Sequence, residues 1–248
     1  MTELTYSAII AAAKLGFRAL GQSITMSGLE NLPRRGGALV ALNHVSYVDF
    51  IYGGLPVVRI GRRPRFMAKR ELFDHRITGP IMRACRHIEV DRADGESSLA
   101  VALDYLRRGE IVGIFPEATI SRAMEIKQLK TGAARIAHAA GVPLVPVVVW
   151  GTQRMMTKDH PRDFSRGKAI TITLGPPVPL TGEARPDTAA LKAALSELLD
   201  GAIRSYPQHL PGAWWVPASH GGSAPTLEES VRLDAAERAA RRAGHRPT

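Results

Sequence analysis

The run Asn43-His44-Val45-Ser46-Tyr47-Val48-Asp49 places an imidazole five residues ahead of a carboxylate. Further along, Phe115-Pro116-Glu117-Ala118-Thr119-Ile120-Ser121 puts an acid and two hydroxyls directly after an apolar stretch. A neutral histidine oriented by a carboxylate is a general base near pH 7, able to take a proton from a hydroxyl that then attacks an acyl group. Spacing constrains how the pair can meet. On an ideal helix, residues five apart differ by roughly 140°, so His44 and Asp49 cannot converge as two residues of one regular helix. They converge if His44 lies in the loop leaving a strand and Asp49 falls in the first turn of the next helix, with Ser46 as its N-cap. The start of that helix would also disfavour imidazolium and keep the ring neutral. Ser46-x-x-Asp49 also reads as a capping box, with His44 an incidental loop residue.

The elements needed to deliver these groups are legible. Ala38–Leu42, Arg65–Ala68, His87–Val90, Ile111–Phe115, Leu144–Val149 and Ala169–Leu174 are short runs rich in Val, Ile and Phe bounded by Gly or Pro, and read as strands. Between them, Tyr47–Gly54, Glu96–Arg108, Thr131–Ala140 and Thr188–Ser205 (after a capping Asp187) carry helical patterns. The alternation predicts an α/β fold: one domain with a largely parallel central sheet flanked by helices. Ligands of such sheets sit beyond the carboxyl ends of the strands. His44 and Glu117 each follow a strand at that end, so one shared site is expected. There Glu117 can bind an acceptor hydroxyl or organise its own loop. Oxyanion support would come from backbone N–H groups at a helix start or in the 117–121 loop.

Three stretches are expected: an amphipathic N-terminal helix within residues 1–25, a domain over 26–206, and a tail over 207–248. Residues 4–20 could lie in a membrane interface or pack on the domain. In the tail, a Pro/Gly/Ser-rich segment around Trp214-Trp215 precedes a charged, solvated helix. The net charge is +10, and residues 59–92 alone hold ten Lys/Arg against four Asp/Glu. Such a segment suits an anionic membrane surface or a phosphorylated substrate; it also reads as a solvated face. Nucleic acid is disfavoured, because aromatics are only 6% and no basic stripe is interleaved with stacking rings. Cys85 is the sole cysteine, which excludes an intrachain disulfide and is compatible with a reducing compartment. Neither a signal peptide nor a spanning helix is expected from the apolar runs.

Asn43-His44-x4-Asp49, then Phe115-Pro116-Glu117-x-Thr119-x-Ser121, then Gly141-Val142-Pro143-Leu144-Val145-Pro146-Val147 resembles in order and spacing the blocks of the glycerolipid acyltransferase family. The 1-acylglycerol-3-phosphate (lysophosphatidate) acyltransferases are the nearest type, and the similarity runs over residues 25–180 or so. The resemblance implies His44 as catalytic base and Asp49 as its partner. A fatty acyl group would pass from an acyl-CoA or acyl-carrier-protein thioester to a glycerol hydroxyl, with no cofactor, metal or covalent enzyme intermediate. It further implies Glu117, Thr119 and Ser121 around the acceptor, and Arg92, Lys69 and Lys130 among the phosphate ligands. The setting would be phospholipid synthesis, peripheral to the cytoplasmic face of the cell membrane. Two positions depart from the family pattern: Ala118 stands for glycine and Ile120 for arginine. Losing that arginine removes a bidentate phosphate ligand. Either Arg122 substitutes, or the acceptor is another lysophospholipid or a glycolipid. A thioesterase and a non-catalytic lipid-binding protein on the same scaffold are the remaining alternatives.

Overall fold

The computed structural model describes residues 2–91 and 95–242. The chain opens with helix α1 (Thr2–Ala19), which packs on the domain through Tyr6 and Phe17 and leaves Leu15 exposed. The Tyr6 hydroxyl donates to Pro64 O at 2.9 Å, and the Phe17 ring lies 4.9 Å from that of Tyr52. Strands β1 (Ser23–Ser27) and β2 (Ala38–Leu42) follow, then the short helices α2 (Asp49–Gly53) and α3 (Leu55–Arg59). After β3 (Pro64–Lys69) come α4 (Arg70–Asp74), α5 (Thr78–Ala84) and β4 (Ile88–Val90). The second half contains α6 (Gly95–Arg107), β5 (Ile111–Ile114), α7 (Gly132–Ala140), β6 (Leu144–Trp150) and β7 (Ala169–Leu174). Helices α8 (Ala184–Arg204) and α9 (Leu227–Arg242) complete it.

The seven strands form one sheet in the order β1-β7-β6-β2-β5-β3-β4, in which only β6 and β7 run antiparallel. Strands β2 and β6 are buried along their whole length, because both faces of the sheet are covered. Leu39 and Ala41 of β2, with Val148 and Trp150 of β6, join a core closed by α6, α7 and α8. Val40 and Leu42, with Val147 and Val149, face Tyr52, Val57 and Phe17 on the other side. No described helix is long and apolar enough to cross a membrane.

Expectation and structure differ in several places: the helix expected over Tyr47–Gly54 is the shorter α2, and α3, α4 and α5 have no counterpart among the expected helices. Strand β1 carries no strong signal, because it is a polar edge strand whose Ser23, Thr25 and Ser27 are exposed. Helix α8 starts at Ala184, ahead of Asp187. The Asp187 carboxylate sits in its first turn and accepts from the Thr181 and Gly182 N–H groups at 2.9 and 3.0 Å, so it ties down the incoming loop. The basic segment is only partly open. Arg62, Arg65 and Arg83 donate to backbone carbonyls of Gly36, Cys85 and Phe73 at 2.7, 2.8 and 2.9 Å, where they hold loops and not a ligand.

Candidate active site

Three neighbouring strands end side by side. β2 lies between β5 and β6, parallel to both, so the loops after Leu42, Ile114 and Trp150 leave from one edge of the sheet. The first begins with Asn43, whose amide donates to Val149 O at 3.1 Å and accepts from Val149 N at 2.8 Å. That bridge pins the loop to β6 just before His44.

Asp49 is the first residue of α2 and is fully buried. Its Oδ2 lies 3.0 Å from His44 Nδ1 and accepts from the Val45 and Ser46 N–H groups at 2.8 and 2.7 Å. Its Oδ1 accepts from the Thr152 hydroxyl at 2.6 Å. A carboxylate only accepts, so His44 Nδ1 carries the proton and Nε2 presents the basic lone pair. The His44 side chain keeps 20% exposure, and its ring packs 4.3 Å from that of Phe115. Partial burial with one open nitrogen is the geometry of a general base.

Val48, and not Ser46, is the N-cap of α2, so the expected Ser46–Asp49 capping box does not form. Asp49 still accepts from Ser46 N, while the Ser46 hydroxyl donates to Met156 O at 2.6 Å and accepts from Val48 N at 3.3 Å. Helix α2 has only five residues, so local hydrogen bonds, and not a long helix dipole, orient the ring.

Glu117 is buried beneath the base. Its Oε1 accepts from His44 N at 2.9 Å and its Oε2 from Lys127 N at 3.1 Å, while Ser121 N donates to His44 O at 2.7 Å. Both backbone groups of His44 are thereby tied to the 117–121 loop, and Glu117 organises that loop. Burial lifts its carboxyl from 4.5 to about 7, although the N–H groups of Lys127 and His44 favour the charged form. Ala118 adopts φ 60°, the left-handed region that favours glycine. Ile120 is 3% exposed and therefore a packing residue. The Thr119 hydroxyl accepts from Lys127 Nζ. The Ser121 hydroxyl is buried, and among the described residues no group hydrogen-bonds it.

The cations separate into two groups. Lys130, whose N–H donates to Pro116 O at 2.9 Å, and Lys69, at the end of β3, are exposed. Arg92 lies outside the described residues. Arg122 is not an open phosphate ligand: it is 7% exposed, bonds Asp159 and Asp234, and donates to Glu237 Oε2 at 3.0 Å. Three carboxylates occupy the fork that a phosphate would need.

Sequence reasoning missed Thr152 and Lys127. Thr152 had a signal, since it follows β6 at the same edge as His44 and Glu117. Gly151 delivers it with φ 102°, where a Cβ would stand 2.3 Å from Ala169 O. Lys127 had none, because its role depends on contacts with α9.

Residues 23–150 match the family model described as Acyltransferase. The chain is 32% identical over 182 residues to the 1-acyl-sn-glycerol-3-phosphate acyltransferase of Bacillus subtilis, spanning 73% of this chain and 86% of that protein. It is 26% identical over 181 residues to the enzyme of the same name from Borreliella burgdorferi, spanning 70% and 69% of the two chains. The crystal structure of the 1-acyl-sn-glycerophosphate (LPA) acyltransferase PlsC from Thermotoga maritima shares the fold, with a TM-score of 0.66 at 23% identity over 82% of this chain and 81% of that one. The sheet-edge dyad thus stands within a matched segment that fills half the sequence, and the protein belongs to the acyltransferase family.

Proposed function

We propose that the protein is a 1-acylglycerol-3-phosphate O-acyltransferase of phospholipid synthesis. The observation that carries this reading is the His44–Asp49 pair, held at 3.0 Å at the meeting point of three strand ends. His44 Nε2 takes the proton of the acceptor hydroxyl as its oxygen attacks the thioester carbonyl carbon. The carbon–sulfur bond then breaks, and the thiolate recovers the proton from the imidazolium. Asp49 holds the tautomer and offsets the imidazolium charge while the proton is in transit. The donor is an acyl-CoA or acyl-carrier-protein thioester. The chemistry needs only a base and oxyanion donors, so no cofactor or metal is assigned to it.

Lys130, Lys69 and Arg92 are the cations assigned to phosphate, on the acceptor or on coenzyme A. The occupied Arg122 favours a second reading, in which the acceptor is a lysophospholipid or glycolipid with a less anionic head.

The same edge supplies a surface for lipid. α4 and α5 follow the carboxyl end of β3, which pairs in parallel with β5. The segment from α4 to α5 exposes Leu72, Ile77 and Ile81, with the exposed Lys69, Arg70 and Arg76 close to them in sequence, and α2 exposes Phe50 near His44 in sequence. Apolar side chains among cations suit an anionic leaflet, so the protein is assigned to the cytoplasmic face of the cell membrane as a peripheral enzyme.

The test is release of CoA from a labelled acyl-CoA against a panel of lysolipids. Activity dependent on 1-acylglycerol-3-phosphate is expected, and His44→Ala should lower it by about 10³-fold or more. Preference for an acceptor without a phosphate monoester would favour the second reading. Turnover that ignores the acceptor, or survives His44→Ala, would reject acyl transfer by this base.

A further inference from the structure

Helix α9 is docked by charge. Thr226 and Glu229 cap its start, with Thr226 N donating to Glu229 Oε2 at 2.8 Å and Glu229 N to Thr226 Oγ1 at 3.2 Å. Its inward stripe is Ser230, Asp234 and Glu237, one helical face, while Leu227, Val231 and Leu233 stay exposed. Asp234 bonds Arg122, accepts from Lys127 Nζ at 3.0 Å and accepts from Lys158 Nζ at 3.3 Å. Glu237 accepts from Lys158 Nζ at 2.7 Å and from Arg122 at 3.0 Å.

Lys127 is where this cluster meets the base. Its ammonium bonds the Thr119 hydroxyl and donates to Ile120 O at 3.2 Å, and it is only 10% exposed. Its backbone N–H donates to Glu117 Oε2, and Glu117 Oε1 accepts from His44 N. A continuous path of hydrogen bonds therefore runs from α9 to the backbone of the catalytic histidine. We propose that Asp234 is a positioning residue for acyl transfer: acting through Lys127, it holds the 117–121 loop against His44, so α9 works as a strap that sets the base. The proposal rests on the acyl-transfer reading above.

The physical case is the cost of an unpaired ion. Without Asp234, the nearly buried Lys127 ammonium loses the carboxylate it donates to at 3.0 Å, and it gains by moving toward water. That movement pulls on Thr119, Ile120 and the N–H that Glu117 requires. A displacement near 1 Å at the reacting groups can cost about 100-fold in rate.

The experiment is a double-mutant cycle of Asp234→Asn and Lys127→Met in the full chain, with kcat, KM for the acyl thioester and the melting temperature measured for each. Asp234→Asn should lower kcat about 10- to 100-fold with KM within about twofold. The double variant should be no slower than the slower single variant, because each single variant already breaks the shared Asp234–Lys127 bond. Glu237→Gln, which cuts the ties to Arg122 and Lys158 while leaving the Asp234–Lys127 bond in place, should lower the melting temperature while costing kcat less than about threefold. Additive losses, or an equal loss of kcat in Glu237→Gln, would mean that α9 merely stabilises the fold, and the strap would be rejected. If Asp234→Asn gives no cooperative melt, Lys127→Met decides alone: full kcat there overturns the proposal. His44→Ala serves as the comparator. Activity that needs His44 but ignores Asp234 rejects only the strap, whereas activity that ignores both rejects acyl transfer by this base.

Discussion

Glu117 shows what a single buried group does to the molecule. Its carboxyl is lifted by burial from 4.5 to about 7, so the folded protein binds that proton more tightly than the unfolded chain does. Ionisation therefore opposes folding. The cost is absent below about pH 4.5, grows as pH rises toward about 7 and is complete above it, on the order of 3 kcal/mol. Glu117→Gln cannot ionise. Relative to that variant, the wild type should be about 2–3 kcal/mol less stable at pH 8 than at pH 5 in urea unfolding. Parallel pH profiles for the two proteins would remove Glu117 as the source. The protein tolerates this cost because the two carboxylate oxygens accept from His44 N and Lys127 N, which a neutral apolar residue could not do.

Among the elements, α8 and α9 are held by different forces. α8 buries Leu191, Leu195, Leu199, Ala202 and Ile203, a regular apolar stripe against the sheet. α9 contributes Ser230 and Asp234 as its buried residues and relies on ion pairs to Arg122, Lys127 and Lys158. Desolvation offsets much of the gain from such pairs, whereas apolar burial is gained outright. Local opening of α9 should thus cost much less than opening of α8. Native-state hydrogen exchange checks this: α9 amides should exchange at least about tenfold faster than those of α8 at Leu191–Leu199, and equal protection would contradict docking by charge.

For the molecule as a whole, the consequence is a one-sided edge. The loops of β2, β5 and β6 that build the site, and the α4–α5 segment that exposes Ile77, leave from parallel strands of the same sheet. Under the proposed function, the edge that carries the His44–Asp49 pair would also meet the bilayer through its exposed apolar and basic side chains. Ile77, 65% exposed, is the natural probe. Ile77→Glu removes apolar area and adds a charge that anionic lipid repels. It should weaken flotation with vesicles containing anionic phospholipid by about tenfold or more, with the melting temperature unchanged. Unaltered flotation would count against this edge as a lipid-binding surface.

Local chemistry made much of this legible in advance. Ala38–Leu42 and Ala169–Leu174 coincide with β2 and β7, because buried strands of Val, Ile and Leu announce themselves. His44 and Asp49 could be paired on paper, since five residues and a strand-to-helix transition leave few ways for them to meet. What the chain order could not reveal lies in long-range partners. Thr152 reaches Asp49 across 103 positions, and Asp234 reaches Lys127 across 107. Arg122 looked like a phosphate ligand because its competitors, Asp159, Asp234 and Glu237, are remote in sequence. Periodicity and spacing act over one or two turns of chain, whereas a side chain's occupancy is decided by whatever the sheet order and the last helix bring beside it.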